Sequence, residues 1–285
     1  MRRIFFLLAI LWCGVSYCGE YHYINYSVAD MYTDDEFEGK LFSQVIYGTP
    51  VEIIDDSCYG YYIKTPDGEC GWTWWDIIET DKKYPSTPIV ARINTPWTYL
   101  YSEPDFTSCS QEYSLPFEVT VEVVSPEEDL GNQWIQIRDI EGDLYWIRSS
   151  DVIFNPELLS LEEMLEKSTE FLNIPYLWGG ASAFGFDCSS FMQMLFRLRG
   201  IALPRFAQKQ ADMEKGTIIP FGEFLPGDLL FFNQEEVCHV GLYLGDDTFI
   251  HDTIGDRTSS RPAMIQLSSI TDDEWKDIFL FARRL

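Results

Sequence analysis

The chain has 285 residues, enough to bury a sizeable core and to divide into two or three domains. Its 46% hydrophobic and 16% aromatic content excludes a wholly disordered chain. The 46 acidic residues against 20 basic ones give a formal charge of −26, a surface that repels nucleic-acid backbones and anionic membranes but can attract amines.

The chain opens "MRRIFFLLAILWCGVSYCGE". Arg2 and Arg3 precede an apolar run, Ile4 to Trp12, that is too short to span a bilayer comfortably, and the small residues Gly14 and Ser16 follow. A secretory signal over residues 1–18 is therefore expected, with export to the periplasm or cell envelope; losing Arg2 and Arg3 would take the charge to −28. Val15-Ser16-Tyr17-Cys18 loosely follows a lipoprotein signal, which makes Cys18 an alternative lipid anchor, although Tyr17 fits poorly before it. No other segment is long and apolar enough to cross a membrane. Of seven cysteines, Cys13 and Cys18 fall with the leader, leaving Cys58, Cys70, Cys109, Cys188 and Cys238. That odd set cannot all pair within one molecule, and without a CxxC pair no structural zinc is expected. An exported chain permits a Cys58–Cys70 bridge, and free thiols are the alternative.

Two stretches share one order of elements. "YGTPVEII…YGYYIKTPDGECGWTWWDII" and "YSLPFEVTVEV…GNQWIQIRDIEGDLYWIRSSDVI" each run from a proline turn through alternating strands and an acidic-Gly turn to an aromatic strand. The offset of 74 residues, Gly68 to Gly142, suggests a duplicated small β-barrel. Residues 25–153 resemble bacterial SH3 domains, which implies two SH3-like units over 19–83 and 84–155; one larger all-β domain is the competing reading.

After Asn155-Pro156 the pattern becomes mixed. "SLEEMLEKSTEFL" carries a capping box, Ser160 with Glu163, and places Met164, Leu165 and Leu172 on a helical face. In "CSSFMQMLFRLRG", Phe191, Met194, Leu195 and Leu198 recur at helical spacing and Gly200 stops the helix. "PGDLLFFN", "HVGLYLG" and "DTFIHDT" read as strands, the last two joined as a hairpin at Gly245–Asp247. The region from 156 to 285 is therefore expected to be α+β.

Cys188 falls at the start of the second predicted helix, where exposed N–H groups and the dipole favour a thiolate, the nucleophilic form. A small buried core cysteine fits the same position. Of only three histidines, His239 and His251 share the predicted hairpin, near the same end. Imidazole suits both proton transfers of amide cleavage. A three-residue loop would put both rings on one face of the hairpin and a two-residue loop on opposite faces.

"PYLWGG" (175–180), "GFDCSSF" (185–191), "LPR…Q" (Leu203 to Arg205, Gln210), "PGDLLFF" (226–232), "HVGLYLG" (239–245) and "FIH" (249–251) occur in that order. The series resembles the NlpC family of cell-wall cysteine endopeptidases and covers nearly all of residues 160–285. The resemblance implies a papain-like fold, Cys188 as nucleophile, His239 as base and His251 as the polar residue that orients it. Asp252 is a rival orienter, and His22 matches no motif. Tyr176 and the backbone amides of Cys188 or Ser189 are implied near the oxyanion, with Trp178 of "PYLWGG" at the substrate. The implied substrate is a peptidoglycan stem peptide, cut between γ-D-glutamate and a diamino acid, often meso-diaminopimelate. In relatives with paired SH3 domains those domains select stems with a free N-terminal L-alanine, whose amine Asp187 would pair with; a plain helix N-cap is the other reading of Asp187. Ser190 stands where the family has glycine, a change expected to crowd a helix contact without touching a catalytic role. Ala207 replaces a common hydroxyl residue, which puts a binding role for Leu203–Gln210 in doubt. Peptidoglycan or its stem fragments are the expected partner, with no nucleic acid, no metal, no cofactor and a monomeric chain. Rival readings are an N-acetylmuramoyl-L-alanine amidase, a non-catalytic wall-binding protein and a zinc hydrolase using the same three side chains.

Overall fold

The computed structural model describes residues 21–233, 237–254 and 262–285, with the side chains of 109–113 left aside. The leader, Cys13 and Cys18 lie outside the described residues. Among these residues no helix is long and apolar enough to cross a membrane.

Alternating strands build two antiparallel sheets in the first half. One has the order Leu41–Ile46, Val28–Tyr32, Cys70–Thr73, Tyr61–Lys64, Glu52–Asp56, and buries Ile24, Met31, Val45 and Ile63. The other has seven strands, from Cys109–Pro116 through Trp97–Tyr101, Leu144–Arg148, Trp134–Arg138, Thr120–Val123 and Val90–Ile93 to Val152–Phe154. Its core holds Ala91, Ile93, Val121, Ile135, Ile137 and Ile147.

The repeated acidic-Gly turn has one geometry in both sheets. Gly68 (φ 89°) donates to the Thr65 carbonyl and Gly142 (φ 97°) to the Asp139 carbonyl, at 2.9 and 3.2 Å. Both glycines hold the left-handed backbone that side chains resist, which explains why this residue marks both hairpins. Tyrosines staple the sheets together. The Tyr84 amide donates to the Tyr23 hydroxyl (2.9 Å), and the Ile140 amide donates to the Tyr47 hydroxyl (2.7 Å).

Cys58 and Cys70 are both free. Tyr61 pairs with Thr73 and Lys64 with Cys70. Cys58, which precedes Tyr61, therefore lies toward the opposite end of that hairpin from Cys70. About three residues of strand, near 10 Å, separate those ends, beyond the reach of a disulfide.

The last part stacks helices on a six-stranded antiparallel sheet ordered Thr217–Ile219, Phe279–Arg284, Leu229–Asn233, Val237–Gly245, Thr248–Thr253, Met264–Ser269. Helix α1 (Leu161–Thr169) begins with the expected box: the Glu163 amide donates to Ser160 Oγ and the Ser160 amide to Glu163 Oε2. The helix ends before Leu172, which instead packs on the core from the following loop.

Helix α2 (Cys188–Arg197) buries every residue from Cys188 to Phe196. Its Phe191, Met194 and Leu195 are at most 1% exposed, each stabilising the fold by about 1.5–3 kcal/mol. Gly200 follows with φ 72°, as the predicted stop requires. α2 packs on strands Val237–Gly245 and Thr248–Thr253. Val240, Leu242 and Ile250 meet it on one face, while Tyr243 and Phe249 join Phe232 and Trp275 on the other.

The first sheet reaches this part directly. Gln44 Oε1 accepts from the Ala181 amide (3.1 Å), and Ser43 Oγ accepts from Arg205 Nε (2.9 Å). A side chain at Gly179 (φ 75°) would start 3.1 Å from the Phe42 carbonyl carbon, so glycine permits this close approach.

Candidate active site

Cys188 opens α2, and Asp187 caps it. Asp187 Oδ1 accepts from the Ser190 amide (2.8 Å), while the Asp187 amide donates to Ser190 Oγ (3.0 Å). Ser190 thus completes a capping box instead of crowding a neighbour, and its hydroxyl also donates to the Gly180 carbonyl (2.6 Å).

A buried arginine holds the cap. Arg205, 0% exposed, donates Nη1 to Asp187 Oδ1 (2.9 Å) and Nη2 to Asp187 Oδ2 (2.7 Å). The Ser189 hydroxyl also donates to Asp187 Oδ1 (3.1 Å). Gln210 Nε2 donates to the carbonyls of Ser189 (2.9 Å) and Pro204 (2.8 Å). The Leu203–Gln210 segment therefore braces the start of α2. Sequence reasoning missed this role; the signal was the arginine in "LPR".

The two histidines lie on one face of their hairpin. The loop itself has two residues, Asp246 and Asp247, with φ 48° and 57°. A register shift between Tyr243 and Gly245 inserts an extra residue, Leu244, and restores the parity a three-residue loop would give. His239 Nε2 lies 2.8 Å from His251 Nδ1, and His251 Nε2 lies 3.0 Å from Ser268 Oγ. Trp275 closes the rings in, 5.3 Å from His239 and 4.6 Å from His251 between centroids. Gly241 leaves room for them, since a methyl there would lie 2.7 Å from Phe249 Cδ2 and 3.2 Å from His251 Cβ. Ser268 and Trp275 were not foreseen, because they come from segments with no motif.

Cys188 meets the same strand through its backbone. Its Sγ lies 4.0 Å from the Cys238 carbonyl oxygen and takes a bond from the Val240 backbone. Among the described residues Cys188 and His239 are not hydrogen-bonded to each other. Burial, reinforced by the Asp187 charge, pushes the Cys188 thiol up to about 12, against the expectation that the helix terminus favours a thiolate. Burial takes His239 down to about 4. The resting pair is thus a neutral thiol and a neutral imidazole.

Asp252 does not orient His239. It sits one residue from His251 in the strand, so its side chain projects to the opposite face. There burial raises its carboxyl to about 9, so it is protonated at neutral pH and its charge bears on Cys188 and Tyr176 only in the alkaline range where they titrate. Tyr176 is half-buried, its phenol pushed up first by burial and then by Cys188, Asp187 and Asp252. Trp178 is 69% exposed beside this loop. His22 pairs across to Glu79 in the short ribbon of Tyr21–Ile24 with Ile77–Thr80. Among the described residues no three His, Cys, Asp or Glu side chains cluster as metal ligands would.

These elements bring a helix-borne cysteine against the backbone of the strand that carries a hydrogen-bonded histidine pair. Residues 173–284 match the NlpC/P60 family. The chain is 33% identical over 192 residues to a γ-D-glutamyl-L-lysine dipeptidyl-peptidase of Bacillus subtilis, covering 66% of this chain and 61% of that relative. A Bacillus cereus protein of the same name is 29% identical, covering 77% of this chain and 69% of the relative. The chain thus spans about three fifths of the length of the Bacillus subtilis relative. A crystal structure of an NlpC/P60 family protein from Bacillus cereus shares the fold with a TM-score of 0.78 at 20% identity, covering 93% of this chain and 99% of that one.

Proposed function

We propose that the protein is an exported cysteine peptidase that cleaves peptidoglycan stem peptides at the γ-D-glutamyl–diamino acid bond. The single observation that carries this reading is the His239–His251–Ser268 chain beside a capped, helix-initial Cys188, within the segment matching the NlpC/P60 family. His251 occupies Nε2 of His239, which leaves Nδ1 for the thiol proton. His239 then carries its own proton on Nε2 and donates it to His251, and His251 donates to Ser268.

Cys188 Sγ attacks the amide carbon as its proton passes to His239 Nδ1, forming a C–S bond and an oxyanion. His239 returns the proton to the departing amine as the C–N bond breaks. Water, deprotonated by the same imidazole, hydrolyses the thioester. Since the cap takes the Ser190 amide, the amides of Cys188 and Ser189 are the backbone donors offered to the oxyanion, with the Tyr176 hydroxyl as a third. Asp187 positions the helix; its bond to Arg205 argues against a second duty as amine acceptor.

Residues 19–83 and 84–155 are read as SH3-like units ahead of a catalytic unit at 156–285. The matching Gly68 and Gly142 hairpins support this division. The names of the Bacillus relatives favour lysine after γ-D-glutamate and release of a dipeptide. Purified protein would be given L-Ala-γ-D-Glu-L-Lys-D-Ala with a free or acetylated N-terminus, and fragments weighed. Release of L-Ala-D-Glu from the free peptide alone supports dipeptidyl release. Cleavage of both supports an endopeptidase, and no cleavage of either ends the assignment.

A further inference from the structure

Gln193 and Arg197, four residues apart on α2, share one face of the helix, and that face meets both N-terminal sheets. Gln193 Nε2 donates to Asp67 Oδ2 (2.9 Å), in the Gly68 turn of the first sheet, and to the Leu203 carbonyl (3.0 Å). Arg197 donates Nε and Nη2 to the two carboxylate oxygens of Glu118 (2.5 and 2.7 Å), just ahead of strand Thr120–Val123 in the second sheet. All four residues line a cavity of about 500 Å³ where the three parts of the chain meet. That volume suits a small ligand. Val45, Val119, Ile201 and Leu203 give the cavity an apolar wall.

The polar atoms narrow the occupant. Gln193 is 5% exposed, and its Oε1 has no hydrogen-bond partner among the described residues. Its amide orientation is fixed, because both partners of Nε2 are acceptors. Asp67 Oδ1 already accepts from the Thr65 hydroxyl and the Glu69 amide, whereas Oδ2 accepts only from Gln193 and keeps acceptor capacity. The charged residues of the lining are Asp67, Glu118 and Arg197, and Arg197 is spent on Glu118. One carboxylate is therefore left in excess. An anion would meet that carboxylate and a chain of net charge −26. A neutral apolar molecule would leave Gln193 Oε1 unpaired, which disfavours its binding. An ammonium group brings both the donors and the positive charge.

We propose that this junction cavity binds a primary alkylammonium, with its chain on the apolar wall and its N–H donors shared between Gln193 Oε1 and Asp67 Oδ2. The occupant ties α2, the helix that Cys188 opens, to the turn of the first sheet. The inference stands apart from the peptidase reading, because binding is measured without cleavage.

The test is calorimetric titration of the full chain with n-hexylamine and with hexan-1-ol, its neutral counterpart, at physiological salt. Wild type is compared with Asp67→Asn, Ala202→Trp and Gln193→Met. Asp67 and Ala202 are exposed positions on the lining, so the first two changes leave the fold intact, and the tryptophan fills the cavity. Saturable binding of the amine, weakened about tenfold or more in each variant and for the alcohol, supports the proposal. The melting temperature of wild type should then rise with amine concentration. No saturable binding by wild type overturns it, as does equal binding of the alcohol. Variants that bind the amine as wild type does also overturn it, since they reveal attraction to the acidic surface at large. Should Gln193→Met melt early, the two exposed variants decide the same point.

Discussion

Replacing Arg205 should damage the start of α2 more than any other single change outside the cysteine and histidines. Its guanidinium makes a two-pronged pair with Asp187 and further bonds to Ser43 and the Gly180 carbonyl, at 0% exposure. Arg205→Ala leaves a buried carboxylate uncompensated, which costs about 3–5 kcal/mol. For a folding unit of this size that lowers the melting temperature by roughly 10 °C. Arg205→Met with Asp187→Asn removes both charges while asparagine still caps the helix, so most of the loss should return. Thermal unfolding by circular dichroism at pH 7, on Arg205→Met, Asp187→Asn and the double variant, gives the coupling directly. If Arg205→Ala melts within a degree of wild type, or if the double variant loses the sum of both singles, the pair does not hold the helix start as described.

Three further outcomes follow from the site. Cys188 is a neutral thiol with its pKa near 12, so the iodoacetamide alkylation rate should climb about tenfold per pH unit from 7 to 10. A plateau already reached at pH 6 would mean a preformed thiolate–imidazolium pair. Ser268→Ala removes the partner of His251 Nε2 and should lower kcat about tenfold with KM little changed, read by steady-state peptide hydrolysis; an unaltered kcat contradicts the relay. Asp252 has a folded pKa of about 9, above its value of about 3.9 in an unfolded chain. Folding therefore retains a proton that the unfolded chain loses, and stability falls as pH rises from the unfolded value toward about 9. Asp252→Asn should remove that slope, so urea unfolding at pH 5 and 8 should differ less in the variant than in wild type; equal slopes would contradict it.

Local signals carried much of this architecture. The Ser160–Glu163 box, the apolar spacing of α2 and the stop at Gly200 are short-range and read correctly from residue order. The twin glycine turns were visible for the same reason, since a left-handed position demands that residue. What escaped depends on long-range placement. Hairpin parity hinges on one bulged residue, Leu244, which alternation alone does not reveal. Ser268, Trp275 and Arg205 reach the site from remote segments and resemble ordinary polar or core residues in sequence. The helix terminus suggested a lowered thiol pKa, but burial and the adjacent carboxylate outweigh the dipole. Asp187 illustrates both sides. Its capping role was legible, whereas the arginine that occupies its charge was not.

The most direct measurement is mass spectrometry of L-Ala-γ-D-Glu-L-Lys-D-Ala digests made with wild type, Cys188→Ala and His239→Ala. Scission between γ-D-glutamate and lysine by wild type, with both variants inert although folded, is the predicted result. Cleavage by the Cys188→Ala protein at the wild-type rate, or a cut at any other bond, would contradict the account.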